Sequence, residues 1–282
     1  MTSDSSKDKS KSGPSNLVVR IAAAAVLIPV VLFVAWYGGF AFTVFVAVLG
    51  LLMAFEWTRM AHKDSKLQLA IHAIGVLVAA FSIYAPSLAI VGAVLAAVWI
   101  ISLVWADKRS NLKWKILGVP YITLPVLALV WLRADALFGV VAVFTVFAAV
   151  WSADSLAYFA GRGFGGPKLW PSVSPNKTWS GFFGAVTGGL LGAVLVFYLT
   201  GQNGLGVAAI LGAAIGGLEQ GGDLLESAAK RTFGIKDSGA IIPGHGGVLD
   251  RVDGLMVAVV FALGVGIWRS DLSHAAAGFV NW

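Results

Sequence analysis

The residues able to do chemistry are concentrated in Ser227–Asp253, SAAKRTFGIKDSGAIIPGHGGVLDRVD. Within these 27 residues Lys230, Arg231, Lys236, Asp237, His245, Asp250, Arg251 and Asp253 crowd around a Gly-rich turn. Carboxylates, cations and flexible glycines in one stretch are what a metal–polyphosphate site requires. At its start, Asp223, Glu226, Ser227 and Lys230 fall at i, i+3, i+4 and i+7, on one face of a helix. Glu226 and Lys230 could form no more than an intrahelical pair on a solvated helix end. Asp223 differs, because it follows apolar, Gly-rich sequence. An ionisable side chain there is costly and marks function, with a cation as its expected partner. Glu219 precedes it by one turn and could support it. In Pro243–Gly247, Gly244, Gly246 and Gly247 surround His245, so backbone N–H groups can turn towards an anion. His245 itself reads as a turn residue, a structural His or a general base. Asp250 and Asp253, at i, i+3 where a helix begins, could simply complement its N-terminal charge. Two acids flanking Arg251 fit metal or nucleotide binding better.

A second cluster lies in 151–180, WSADSLAYFAGRGFGGPKLWPSVSPNKTWS. Asp154 sits inside an apolar run between Ser152 and Ser155. Gly161, Gly163 and Gly166 satisfy a bare GxGxxG, but a dinucleotide fold needs a strand before it, and here an apolar helix precedes it. Arg162, Lys168 and Lys177 are cations suited to phosphates, and Ser174, Thr178 and Ser180 supply hydroxyls. Trp170 and Trp179 are expected at a membrane interface, with stacking on a base as the alternative. Glu56, beside Trp57 and Arg59, reads as interfacial. His62, His72 and His274 have no evident partner in the sequence.

The elements that must position these residues are set by composition. Of 282 residues, 58% are hydrophobic and 12% charged, and the mean hydropathy is +0.85. A soluble domain of this size could not hide that much apolar surface, so the expected fold class is an all-α polytopic membrane protein. Apolar windows fall at about 17–37, 39–58, 68–84, 87–106, 116–132, 137–158, 180–200, 204–225 and 254–269, nine spans in all. The first, after Arg20, imitates a signal peptide but is long and lacks a small-residue cleavage site, so it reads as a retained helix. With the N-terminus in the cytoplasm, 18 of the 20 Lys and Arg fall on the cytoplasmic side, leaving Arg133 and Arg269 opposite. By the positive-inside rule this fixes the orientation. It puts the loops 159–179 and 226–253 on one face, open to a water-soluble substrate. The organisation expected is a disordered polar segment 1–16, N-terminal spans over 17–140, a catalytic membrane region over 141–270 and a periplasmic tail 271–282.

Gly184, Gly188 and Gly192, and Gly212 with Gly216, repeat at spacing four and predict close helix packing within the protomer or across a dimer. There is no Cys, which excludes disulfides and thiolate metal sites and favours a hard cation such as Mg²⁺. The net charge of +6 is spread over short loops, which argues against nucleic-acid binding. No internal repeat of useful length is visible, which counts against an inverted-repeat transporter.

The two clusters resemble those of the phosphatidate cytidylyltransferase, or CDP-diacylglycerol synthase, family. Ser227, Lys230, Arg231, Lys236, Asp237, Ile242, Pro243, Gly244, His245, Gly246, Gly247, Asp250, Arg251 and Asp253 stand in register with its C-terminal signature. The stretch with Asp154, Tyr158–Arg162, Phe164-Gly165, Ser174-Pro175, Lys177-Thr178-Trp179 and Gly181 resembles its upstream loop. Ser155 stands where Thr is frequent, and Asn176 where Lys is common. The resemblance covers about 150–255. It implies transfer of CMP from CTP to phosphatidic acid, releasing pyrophosphate, at the cytoplasmic face of the inner membrane, with Mg²⁺, room for a second cation, and a homodimer. With that reaction in view, Asp223 and Asp250 are expected to hold metal with Asp253 assisting. Lys230, Lys236 and Arg251 would neutralise phosphates, and His245-Gly246-Gly247 would cradle the triphosphate. Asp237 would orient Lys236 or contact the nucleotide. Substrate contacts are expected from Asp154, Arg162, Lys168, Ser174, Lys177, Thr178, Ser227 and Arg231. A polyprenol kinase, which would release CDP, and a cation-coupled transporter using Asp154, Glu219 and Asp223 are the alternatives.

Overall fold

The computed structural model describes residues 16–106, 111–241 and 246–282, with side chains from Ala23 onward. The described residues form, in order, α1 (Asn16–Tyr37), α2 (Gly39–His62), α3 (Lys66–Ala80), a 3₁₀ turn (Phe81–Tyr84), α4 (Leu88–Trp105), α5 (Leu112–Ala134) and α6 (Gly139–Phe164). A hairpin of β1 (Lys168–Trp170) and β2 (Ser174–Thr178) follows, then α7 (Trp179–Leu199), α8 (Leu205–Thr232), α9 (Leu249–Arg269) and α10 (Ala275–Val280). Among them, the eight helices α2 to α9 are long and apolar enough to cross a membrane, α3 only together with its 3₁₀ continuation. α1 adds an apolar stretch, Ala23–Tyr37. Each of the nine expected spans therefore falls on a helix, and the chain is an all-α polytopic membrane protein. The expected disordered segment 1–16 lies, except for Asn16, outside the described residues.

The polar loops are shorter than the hydropathy boundaries suggest. α6 continues to Phe164, α8 continues to Thr232 and α9 begins at Leu249, so 226–253 reduces to a connection over 233–248. A helix closes its own backbone hydrogen bonds and need not stop where apolar sequence stops. Within 159–179 the antiparallel hairpin sets Lys168 opposite Thr178 and Trp170 opposite Ser174. The expected C-terminal tail is also folded. Ala275, Ala276, Phe279 and Val280 of α10 are buried in the main core. Arg269 donates to the Gly278 and Asn281 carbonyls, each at 2.8 Å, and its guanidinium lies 3.6 Å from the Trp282 ring centre.

The most extensive packing is of α7 against α6 on one side and α8 on the other. Glycine permits it on both faces. A Cβ at Gly184 would sit 2.6 Å from the Leu156 carbonyl, and one at Gly188 or Gly192 would strike the Ser152 or Ala148 carbonyl. Opposite, Gly189 and Gly212 meet each other's backbone, and Gly216 meets the Ala185 carbonyl. The spaced glycines thus join helices within the protomer, as small residues do where backbones approach in a bilayer. A second, smaller core gathers Met53 and Trp57 of α2, Trp114 and Ile122 of α5, Ala229 of α8, and Val248, Leu249 and Met256. It lies beneath the polar end of the bundle, where α6 and α8 finish and α7 and α9 begin.

Candidate active site

At that end Asp154, Tyr158 and Arg162 of α6, Asn176, Lys177 and Thr178 at the end of the hairpin, and Gln220 and Asp223 of α8 line an open cleft of about 610 Å³. Small-molecule sites run from roughly 300 to 1,000 Å³. Two left-handed glycines after α6, Gly165 (φ +60°) and Gly166 (φ +98°), turn the chain into the hairpin, a conformation only glycine enters freely. Gly161 serves packing instead: its missing Cβ would lie 3.1 Å from Thr178 Oγ1. The GxGxxG spacing is therefore a helix contact and a turn, with no dinucleotide fold around it. Thr178 Oγ1 accepts from the Gly181 N–H at 3.1 Å and so caps α7. The cap fixes the base of the hairpin next to Lys177.

The Lys177 ammonium lies 2.7 Å from Asp223 Oδ2 and donates to Gln220 Oε1 at 2.9 Å. Ser227 Oγ donates to Asp223 Oδ1 at 3.2 Å, which realises the helical spacing of those two residues. Asp223 thus has the cation partner that its place in the chain demands. Asp154 is hydrogen-bonded to Glu219. Glu219 is buried, accepts from Gln220 Nε2 at 2.8 Å and packs on Gly254 of α9. Asp253 lies within electrostatic reach of Asp223 and Asp154, and Arg251 within reach of Asp154. Carboxyl groups from three helices converge here, and such a grouping must either share protons, as the Asp154–Glu219 hydrogen bond does, or hold positive charge among them. The donors are all oxygen. That suits Mg²⁺, which takes one or two carboxylates, keeps water and completes its shell with substrate phosphates. Among the described residues, no group of three His, Asp or Glu side chains is placed to hold a metal ion.

The signature segment is held by a separate network. Lys230 bridges Glu226 Oε2 at 2.6 Å and Asp250 Oδ1 at 2.7 Å. Both partners are largely buried, so the ammonium is committed between two carboxylates and is not presented to a phosphate. Asp250 also accepts from the Gly247 N–H at 2.9 Å and from the Ser238 N–H at 3.2 and 3.1 Å to its two oxygens. In this arrangement Asp250 orders the loop and the start of α9, the role of an N-terminal charge complement. Glu56, expected at the interface, is instead buried and accepts from Ser238 Oγ, Val248 N–H and Leu249 N–H.

The other expected residues divide clearly. Lys236 and Asp237 are exposed in the connection before α9. Arg231 is exposed and donates to the Ile235 carbonyl at 3.3 Å, closing the end of α8. Lys168 and Ser174 are on the hairpin and do not line the cleft. Gly246 has φ +81° and Gly247 is buried; His245 lies outside the described residues. Gln220 and Glu56 take part in the networks although sequence reasoning assigned them no site role, and Glu219 and Glu226, read only as a support for Asp223 and as a partner of Lys230, take part as well. A signal existed for Glu219, one turn before Asp223, and for Glu226, i−4 to Lys230.

A multi-pass helical bundle with a polar cleft of acids and cations at one end defines a membrane-embedded site for a polyanionic substrate. The chain matches the Cytidylyltransferase family over residues 18–266 and belongs to it. It is 43% identical over 251 residues to the phosphatidate cytidylyltransferase of Brucella melitensis biotype 1, covering 86% of this chain and 91% of that one. The phosphatidate cytidylyltransferase of Pseudomonas aeruginosa is 37% identical over 262 residues, 86% of this chain and 94% of its own length. That of Bacillus subtilis is 42% identical over 126 residues, 44% of this chain and 46% of its own.

Proposed function

We propose that this chain transfers CMP from CTP to phosphatidic acid, forming CDP-diacylglycerol and pyrophosphate. The observation that carries this reading is the cleft that gathers Lys177 and Arg162 with Asp154 and Asp223 at the polar end of the bundle. A phosphate monoester has its second pKa near about 6, so the phosphatidate oxygen is largely anionic at neutral pH and needs no strong protein base. It attacks the α-phosphorus of CTP in line, and the bond to the β-phosphate oxygen breaks. The demand on the protein is to align two polyanions and neutralise them. In this reading Arg162 and Arg251 face phosphates, joined by Lys177 if it leaves Asp223, and Gly246 borders the triphosphate. Asp223 and Asp253 would hold Mg²⁺, joined by Asp250 if Lys230 or a backbone donor released it. The ion, when bound, supplies charge neutralisation at the phosphoryl oxygens. Acyl chains enter from the lipid between helices.

The cleft faces the cytoplasm of the inner membrane in this reading, supported by the asymmetry of Lys and Arg. A homodimer follows from the family resemblance, and light scattering of the detergent-solubilised protein tests it. Orientation is tested with a single Cys placed at Lys236 in this Cys-free chain and labelled by an impermeant maleimide from either side. For the reaction, purified protein is incubated with phosphatidic acid, Mg²⁺ and α-labelled CTP. Label in the lipid phase with equimolar pyrophosphate, lost with chelator and in Asp223→Asn, is expected. CDP in place of pyrophosphate would make it a kinase. No labelled lipid from folded protein would refute the reading.

A further inference from the structure

Glu56 stands on α2, in the N-terminal half of the chain, and is 1% exposed. A lone carboxylate at such a place would be costly unless donors converge on it. Three do, all from the segment around the signature. Oε1 accepts from the Val248 N–H at 2.9 Å. Oε2 accepts from the Leu249 N–H at 2.8 Å and from Ser238 Oγ at 3.0 Å. The two backbone groups open α9, whose N-cap, Val248, has no capping side chain of its own. Glu56 is therefore the cap, supplied from another helix. Glycine makes room for it: a Cβ at Gly247 would come within 2.6 Å of Oε2, and one at Gly239 would strike Oε1. Glu56 thus pins the connection at two points, within it at Ser238 and where it meets α9 at Val248-Leu249. Between and beside those points lie Lys236, Asp237, Gly246, Gly247 and Asp250. Glu56 does not line the cleft.

We infer that Glu56 is a positioning residue for cytidylyl transfer: its carboxylate seats the signature loop and the start of α9 so that the nucleotide-facing groups are aligned. This rests on the reading of the cleft and loop as the transfer site. Glu56→Gln tests the charge and the second acceptor while keeping the shape, because the amide turns N–H groups towards at least one N–H or O–H donor. Loss of a hydrogen-bond partner that orients a metal ligand typically costs roughly 10–100-fold, and a carboxylate that seats a whole loop is expected to matter on the same order. The expected result is a rise of that order in KM for CTP with a fall in kcat, and an unchanged KM for phosphatidate. Glu56→Asp restores part of the loss. Variants that merely reduce the folded fraction would lower the rate and leave both KM values alone. Ser238→Ala, which removes one of the three donors and leaves the backbone cap, is the milder variant if Glu56→Gln does not fold. It should show the same KM split, smaller. Amide exchange of 246–250 in detergent reads the seat directly and should quicken in Glu56→Gln. Unchanged exchange with unchanged KM would overturn the inference. Faster exchange with wild-type kinetics, while Asp223→Asn is inactive, would also overturn it. Full activity of Asp223→Asn would bring down the reading of the site itself, and the inference with it.

Discussion

Adjacent glycines in α8 offer a matched pair of substitutions beside the site. Gly222 faces α9: an added Cβ would lie 2.6 Å from the Asp253 carbonyl, 3.0 Å from Val257 Cγ2 and 3.1 Å from Gly254 Cα. Ordinary contact begins at 3.4 Å, so Gly222→Ala forces α8 and α9 apart by about 0.8 Å against backbone that cannot rotate away. The displaced elements carry Asp223 on one side and Asp253 on the other. Overpacking of this kind costs about 1–3 kcal/mol, and a misplacement near 1 Å costs about 10²-fold in rate. Gly221 precedes it in the same helix and has nothing within 4 Å of an added Cβ. Gly221→Ala should gain about 0.5–1 kcal/mol from helix propensity with transfer unchanged. The assay is thermal unfolding in detergent together with initial rates of lipid labelling from α-labelled CTP. Equal behaviour of the two variants, in stability and rate, would refute the claim that the α8–α9 separation sets the carboxylate geometry.

Other outcomes follow from the ion pairs and the far end of the bundle. Lys177→Met leaves Asp223 with only the Ser227 hydroxyl among its described hydrogen-bond and ion-pair partners and removes a cation from the cleft. Transfer should fall at least about 10²-fold, with partial recovery in Lys177→Arg, read from steady-state rates. Lys230→Met strands Glu226, whose side chain is 1% exposed, and leaves Asp250, 8% exposed, with only its backbone donors from Gly247 and Ser238. It should cost about 3–5 kcal/mol, and adding Glu226→Gln should return part of it in a denaturant titration. Arg269→Ala removes two carbonyl contacts and the stacked Trp282 ring. It should lower stability by about 2 kcal/mol without changing KM for CTP, since it sits at the opposite end of the bundle from the cleft.

The spans were legible because about 20 apolar residues are needed to cross a bilayer and little else in a chain looks like that. The packing of Gly184, Gly188 and Gly192 was legible for a similar local reason: spacing four is one helix face. So were the Asp223–Ser227 and Glu226–Lys230 pairs, which lie within a single turn. What spacing could not give is the partner from another element. Lys177 meets Asp223 across 46 positions, and Lys230 belongs as much to Asp250 as to Glu226. Glu56 looked interfacial because its polarity beside Trp57 and Arg59 is all that its neighbours reveal; its donors lie on α9 and the connection before it. The hairpin was hidden because its strands are three and five residues long and the second contains Pro175, a residue that argues against a strand. The helix ends were misplaced because hydropathy marks the bilayer and not the last hydrogen bond.

The contact between Glu56 and the start of α9 also orders events in time. Its partners lie 182 to 193 residues further along the chain. A ribosome adds about 5–20 residues per second, so α2 waits about 10–40 s after it is made before its acceptor oxygens can be filled. Until the last third of the chain has been inserted, the carboxylate is held in water, at the membrane surface or by temporary partners. The cleft end of the bundle is therefore completed only late in synthesis, and a ribosome that stalls before Leu249 leaves a chain with most of its membrane helices and Glu56 without the backbone donors of α9.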